Sequence, residues 1–154
     1  MFLTAHSAIA LAATAWTGNP AAAFAVGWAS HYLADAVPHG DEPVGRWAKA
    51  AGPREAWHLA VVTFVDLSFL AVAFAWFISA RGLHLVHIAA IVGACLPDFM
   101  WGLEKVVGRK LFGPLGAFHS RVHNFAKVML PLAVGLLGQA ALAAALWWWV
   151  AAGH

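Results

Sequence analysis

Histidine and aspartate side chains are concentrated in residues 30–41, which read SHYLADAVPHGD. His31 and Asp35 are four residues apart, so a helix projects both side chains from one face. Pro38 is expected to end that helix, and His39 follows it on the turn. Two imidazoles and a carboxylate this close together suit a divalent metal such as zinc. The structural alternative is a helix end that is satisfied by a hydrogen bond between the aspartate and a histidine.

Further ionisable side chains occur in or beside apolar segments. Asp66 lies within a long apolar run, and Asp98 follows Pro97 in another. His119 and His123 have the i, i+4 spacing that lets one helical face hold an ion. Ionisable groups at membrane depth are costly and usually functional. The predicted metal ligands are therefore His6, His31, Asp35, His39, Asp66, Asp98, His119 and His123.

These candidates also have structural alternatives. Asp98 could cap a helix that is broken at Pro97. His6, close to the start of the first helix, could simply lie at the membrane interface. The pair His119 and His123 could form a solvated face that contacts lipid headgroups.

The composition is that of a protein embedded in a membrane. Of the 154 residues, 62% are hydrophobic and 10% are charged, and the mean hydropathy is +0.74. Soluble domains carry about 25% charged residues. We therefore expect an all-α integral membrane bundle that forms a single domain over residues 1–154. The net charge of +2 includes no basic block, so no nucleic-acid partner is expected.

The apolar runs predict about five transmembrane helices. Thr4 is the expected N-cap of the first, which is short enough to be tilted or packed inside the bundle. Pro97 is expected to kink the fourth or to end its regular part, and a short helix is expected over about 118–125. Because no Lys or Arg precedes Arg46, the first apolar run is expected to be retained rather than removed as a signal peptide. The predicted spans are about 4–17, 20–37, 55–80, 83–103 and 128–151.

The charge distribution predicts the orientation. Five spans place the N-terminus and both polar connections, about 38–54 and 104–127, on one side. That side holds eight of the nine basic residues, and only Arg81 lies on the other. This bias indicates that the side with the connections is cytoplasmic. The predicted metal ligands converge on the same half of the bundle.

The candidate ligands have enough donors for a hydrolytic centre with two or more metal ions. Two ions can bind a phosphoryl group and activate water near neutral pH. Asp66 or Asp98 would serve as a bridging ligand or as the general base. The predicted activity is hydrolysis of a phosphoester, in a lipid or in another substrate close to the membrane. Zinc is the first candidate, with manganese and iron as alternatives.

Three short motifs resemble a known family. TAHS at 4–7, SHYLADAVPH at 30–39 and GACLPD at 93–98 are similar to the predicted membrane-bound metal-dependent hydrolases. That family consists of small inner-membrane proteins of bacteria and archaea. The resemblance implies a bacterial inner-membrane location and hydrolytic activity. It also implies metal-site roles for His6, His31, Asp35, His39 and Asp98.

Two other function classes stay open. The same residues would serve a metal-binding or transport protein without catalysis. A structural subunit of a larger membrane complex would instead use Gly- and Ala-rich helix faces as packing surfaces for protein partners. Bound metal without turnover would indicate the first alternative, and histidines that bind no metal would indicate the second.

Overall fold

The computed structural model describes residues 1–50, 52–123, 125–126, 128 and 130–153. The described residues are 79% helical and contain no strand. This confirms the all-α prediction. The helices in the described part of the chain are α1 (Leu3–Ala13), α2 (Pro20–Asp35), α3 (Glu42–Ala50), α4 (Pro53–Arg81), α5 (Leu85–Val107), α6 (Pro114–His123) and α7 (Leu132–Ala152).

Three of these helices are long and apolar enough to cross a membrane. They are α4, α5 and α7, which supports the expected membrane protein. Helices α1 and α2 have only 11 and 16 residues. At 1.5 Å per residue they are about 16 and 24 Å long, against about 30 Å for the hydrocarbon core of a bilayer. The predicted count of five full spans is therefore not confirmed.

Helix α1 lies at the centre of the bundle. It packs against α2, α4, α5 and α7. Its small residues Ala5, Ala8 and Ala10 are almost completely buried, which lets the neighbouring helices approach closely. Position inside the bundle was one of the expectations for this short helix.

The first turn of α1 is capped by a different helix. Its own N-cap residue, Phe2, provides no side-chain cap. The carboxylate of Asp66 in α4 instead accepts hydrogen bonds from the amides of Leu3 and Thr4, at 2.7 and 3.2 Å. The hydroxyl of Thr4 also donates to Asp66, at 2.7 Å. The expectation that Thr4 is the N-cap is thus wrong, because the N-cap position is Phe2, two residues earlier, and free N–H groups of the first turn are satisfied by α4.

Helices α2 and α5 approach each other at two glycines. A methyl group at Gly27 of α2 would collide with the carbonyl of Ala90, and one at Gly93 of α5 would collide with the carbonyl of Phe24. Close backbone approach at small residues is the usual way in which membrane helices pack. This contact holds the middle of α2 against the first half of α5.

The connections are more regular than the sequence predicted. Helix α3 lies within the first connection, where no helix was expected. Helix α5 continues through Pro97 and ends at Val107. Its C-cap is Gly108, which has a left-handed φ of 68°. Helix α6 begins at Pro114 and ends at His123. Asn124 falls within the helix expected over about 118–125, and Lys127 is one of the basic residues that predict the orientation. Both lie outside the described part of the chain.

Candidate metal centre

The imidazole and carboxylate groups gather around Asp35, the last residue of α2. The bundle brings the start of α1, the end of α2, the second half of α5 and helix α6 to the same place. Each element contributes at least one potential ligand. The histidines that have a ring nitrogen within 4.0 Å of the carboxylate of Asp35 are His6, His31, His39, His119 and His123.

The first group of ligand atoms comes from His31, Asp35, Asp98 and His119. All four atoms lie within 4.8 Å of one another. Nε2 of His31 is 3.0 Å from Oδ2 of Asp35. Nε2 of His119 is 3.3 Å from that oxygen and 3.3 Å from Oδ1 of Asp98. Ligand atoms of a tetrahedral zinc site are about 3.4 Å apart, so this spacing is close to what an ion requires.

The second group consists of Asp35, His39 and His123. Nε2 of His123 lies 2.9 Å from Oδ2 of Asp35, and Nε2 of His39 lies 3.9 Å from Oδ1. Asp35 therefore belongs to both groups. A carboxylate has two oxygens and can bind two ions at once, so this arrangement would allow a cation in each group.

Asp41 adds a carboxylate to the second group, although it was not among the predicted ligands. Its Oδ1 lies 2.9 Å from Nε2 of His39 and 4.0 Å from Nδ1 of His123. Burial alone would raise the pKa of Asp41. The amino group of Met1 and the hydrogen bond with His39 outweigh this effect and hold the pKa well below its usual range. The feature of the sequence that could have identified Asp41 as a ligand is its position two residues after His39.

A positive charge lies within the second group. The amino group of Met1 is 2.7 Å from Oδ1 of Asp35, 2.9 Å from Nε2 of His39 and 3.0 Å from Oδ2 of Asp41. Burial would lower the pKa of this amine, but Asp35 and Asp41 raise it to about 11. The oxygens of Asp35 and Asp41 and Nε2 of His39 therefore stabilise the positive charge of this amino group.

Backbone carbonyls orient two of the imidazoles. Nδ1 of His31 is 2.7 Å from the carbonyl oxygen of Ala94, and Nδ1 of His39 is 2.6 Å from that of Val37. Both distances fit a tautomer in which Nδ1–H donates to the carbonyl. Nε2 then carries the lone pair and faces the aspartates, which is how metal-binding histidines are usually held.

Several buried donor and acceptor atoms at the centre make no hydrogen bond within the described part of the chain. They include Nε2 of His31, Oδ2 of Asp35 and both ring nitrogens of His6 and His119. Buried polar atoms almost always have a partner, so these atoms need an explanation. A divalent cation would satisfy them, and the set of imidazoles and carboxylates is one that zinc, manganese and iron accept.

His119 links the two acids of the first group. Burial alone would lower its pKa, but the negative charges of Asp35 and Asp98, each with an oxygen 3.3 Å from Nε2, outweigh this effect and raise the pKa to about 9. The imidazole is therefore held in its charged form by the carboxylates. A divalent ion placed between the same acids would replace this proton.

His6 borders the first group. Its Nε2 lies 3.1 Å from Oδ1 of Asp35 and 3.8 Å from Oδ2 of Asp98. Its ring stacks on that of His31, with 4.1 Å between the centroids. The central position of α1 thus brings His6 to the acids as the sequence suggested.

Asp66 is placed differently from the prediction. Its carboxylate caps the first turn of α1 instead of joining either ligand group. The reason is that α1 starts beside the middle of α4, and its free N–H groups need acceptors in an apolar environment. The assignment of Asp66 as ligand or general base is corrected accordingly.

The other predicted ligands are brought together. They are His6, His31, Asp35, His39, Asp98, His119 and His123, and they are joined by Asp41. The chain was also compared with protein-family models, with curated proteins and with solved structures, and no match was found in any of the three.

Proposed function

We propose that this chain is a membrane-embedded, metal-dependent hydrolase with a centre of two divalent ions that share Asp35. The observation that carries the proposal is the pair of ligand groups with Asp35 in common. The buried imidazole nitrogens that make no hydrogen bond support it, because the ions would satisfy them. A structural role alone would not require unsatisfied polar atoms in the core.

Each ion would have four ligands from the chain. The first ion takes His31, Asp35, Asp98 and His119, and the second takes Asp35, His39, Asp41 and His123. Four-coordinate sites of nitrogen and oxygen ligands are typical of zinc. Manganese and iron accept the same donors, so they are the alternatives. His6 lies next to the first ion and would either complete its coordination or orient its neighbours.

Hydrolysis of a phosphoester is the chemistry that such a centre supports best. Two ions held by these residues would bind the phosphoryl oxygens and would lower the pKa of the attacking water. The side chain of Asp98 is 22% exposed, whereas that of Asp35 is fully buried. Asp98 is therefore the acid of the first group that reaches the surface, and it serves as ligand or as the general base for the water.

A lipid or another substrate close to the membrane is the proposed target. Asp98 belongs to α5, one of the candidate membrane spans. A narrow cleft lies beside His119, and its other lining residues include Tyr32, Met100, Trp101 and Leu115. A lipid substrate at this place would lie against these mainly apolar residues. The excess of basic residues in the connections supports a cytoplasmic orientation of this end of the bundle, in a bacterial inner membrane.

Metal content is the first test. The chain would be purified in mild detergent without a metal-affinity tag, beside the double variant His31→Ala/Asp35→Ala. We expect two ions per chain in the wild type and none in the variant, by elemental analysis. The matched control is His84→Ala/His87→Ala, which removes two imidazoles beside the opposite end of α4. This control should retain both ions.

Turnover is the second test. The loaded protein would be assayed with soluble phosphate monoesters and diesters and with phospholipids in mixed micelles. We expect hydrolysis that is lost on chelation and in His31→Ala/Asp35→Ala. Two bound ions without hydrolysis of any of these substrates would contradict the enzymatic part of the proposal. That result would indicate a metal-binding protein instead.

A further inference from the structure

Helix α7 contributes no ligand among the described residues, yet it contacts the turn that carries the second group. Gln139 is 5% exposed and is the one amide within this apolar helix. Its Nε2 donates to the carbonyl oxygen of His39 at 2.7 Å. Its Oε1 accepts from the amide of Phe2 at 2.7 Å. A buried amide with both ends paired fixes its neighbours in a way that an apolar side chain cannot.

The same turn also rests on Gly135, one helical turn before Gln139. A methyl group at Gly135 would collide with the carbonyl of His39 and with Gly40. Gly40 has a φ of 74°, a backbone conformation that favours glycine. The turn between His39 and Asp41 is therefore held by two contacts on one face of α7.

We propose that Gln139 is a positioning residue for the second ion, and that α7 sets the geometry of the turn that carries His39 and Asp41. The inference rests on the proposed two-ion centre. The two hydrogen bonds of Gln139 lead to His39 and to Phe2, neither of which belongs to the first group. The first ion would keep ligands that come from α2, α5 and α6. A change at Gln139 should therefore act on one ion and spare the other.

Titration with cobalt(II) tests this separation. The wild type should bind two ions, each detected by its visible absorption and by elemental analysis. Gln139→Met keeps the length of the side chain but loses both hydrogen bonds. Gly135→Ala displaces the same turn through steric contact. Loss of a hydrogen bond that orients a metal ligand typically lowers metal affinity about 10- to 100-fold. We therefore expect each variant to lower the affinity for the second ion by about this factor and to leave that for the first ion unchanged.

Gly138→Ala is the matched control on the same helix, because a methyl group there meets nothing within 4 Å. It should bind both ions as the wild type does. Unchanged helical circular dichroism and an unchanged elution volume in detergent show that a variant is folded. This check does not depend on catalytic activity.

The outcomes separate the two proposals. Wild-type affinity for both ions in Gln139→Met would overturn the positioning role, and so would an equal loss of both ions in folded protein. A wild type that binds fewer than two ions would contradict the two-ion centre itself. Selective loss of the second ion in Gln139→Met and Gly135→Ala, with Gly138→Ala unchanged, would support the inference.

Discussion

At the scale of single residues, the two oxygens of Asp35 contact different partners. Oδ2 lies 3.0 Å from Nε2 of His31 and 3.3 Å from that of His119. Oδ1 lies 3.1 Å from Nε2 of His6 and 2.7 Å from the amino group of Met1. Oδ2 also lies 2.9 Å from Nε2 of His123, so this oxygen contacts imidazoles of both groups. The two groups therefore meet at the carboxylate of Asp35, which is where a ligand shared by two ions would lie.

Substitution Asp35→Asn should abolish binding of both ions, because the shared ligand loses its charge and one of its two acceptor oxygens. Loss of a residue that only hydrogen-bonds to a metal ligand typically lowers metal affinity about 10- to 100-fold. Loss of a ligand shared by both ions should therefore lower the affinity for each ion by more than about 100-fold. Isothermal titration with zinc measures both affinities. Asp98→Asn is the comparison, and it should weaken the first ion alone. Equal behaviour of the two variants would contradict the bridging role.

Substitution Asp66→Asn should lower stability without changing the metal content, because Asp66 caps α1 and is not a ligand. Hydrogen bonds to a charged acceptor contribute about 1.5–3 kcal/mol, so we expect a clear fall in the thermal midpoint in detergent. Ser68→Ala in the exposed part of the same helix is the control, and its midpoint should change little. Loss of an ion in Asp66→Asn at an unchanged midpoint would restore this residue to the metal site.

Asp66 was predicted as a ligand only on the general cost of a charge at membrane depth. Asp35 was predicted in addition from its spacing to His31 and His39. The different roles of these two acids arise from tertiary contacts: α1 begins against the middle of α4 and its N–H groups take the carboxylate of Asp66. Asp35 lies instead among imidazoles from three other elements. The histidines were easier to predict because their spacings in the chain indicated shared faces.

At the scale of elements, apolar runs predicted the long helices well and the connections poorly. Helix α3 is short, and it follows a turn of Gly and Pro residues that the sequence indicated as irregular. Helix α5 passes through Pro97 without ending. Within a membrane, neighbouring helices can stabilise a helix around a proline, which local propensity does not reveal.

Substitution Gly93→Val should force α2 and α5 apart, because the added side chain would collide with the backbone of α2 at Phe24. Overpacking of this kind typically costs about 1–3 kcal/mol. It should also weaken the first ion, since His31 and Asp98 lie on the two separated helices. Thermal unfolding and zinc titration measure the two effects. Gly102→Val is the control on α5, because a methyl group there meets nothing within 4 Å; identical behaviour of the two variants would contradict the role of this contact.

At the scale of the whole molecule, the long apolar helices enclose a short buried one. The surface of α4 is mostly apolar and exposed: only 6% of its most apolar segment is buried within the chain. Lipid provides an environment for such a surface that water does not. The buried imidazoles and the carboxylate of Asp35 lie together at one end of the bundle, where α1 starts and α2 ends. Composition predicted the membrane environment, whereas the central position of α1 depends on packing against four neighbours.

Orientation in the membrane is the last prediction, and thiol labelling can test it. In a Cys95→Ser background, Leu83→Cys would place a thiol before α5, and Leu111→Cys would place one after it; both leucines are exposed. The bias in basic residues predicts that the end with the metal centre is cytoplasmic. A membrane-impermeant maleimide added to intact bacterial spheroplasts should therefore modify Leu83→Cys and spare Leu111→Cys until the membrane is opened. The reverse pattern would put the metal centre outside, and labelling of both thiols in intact spheroplasts would show that α5 does not cross.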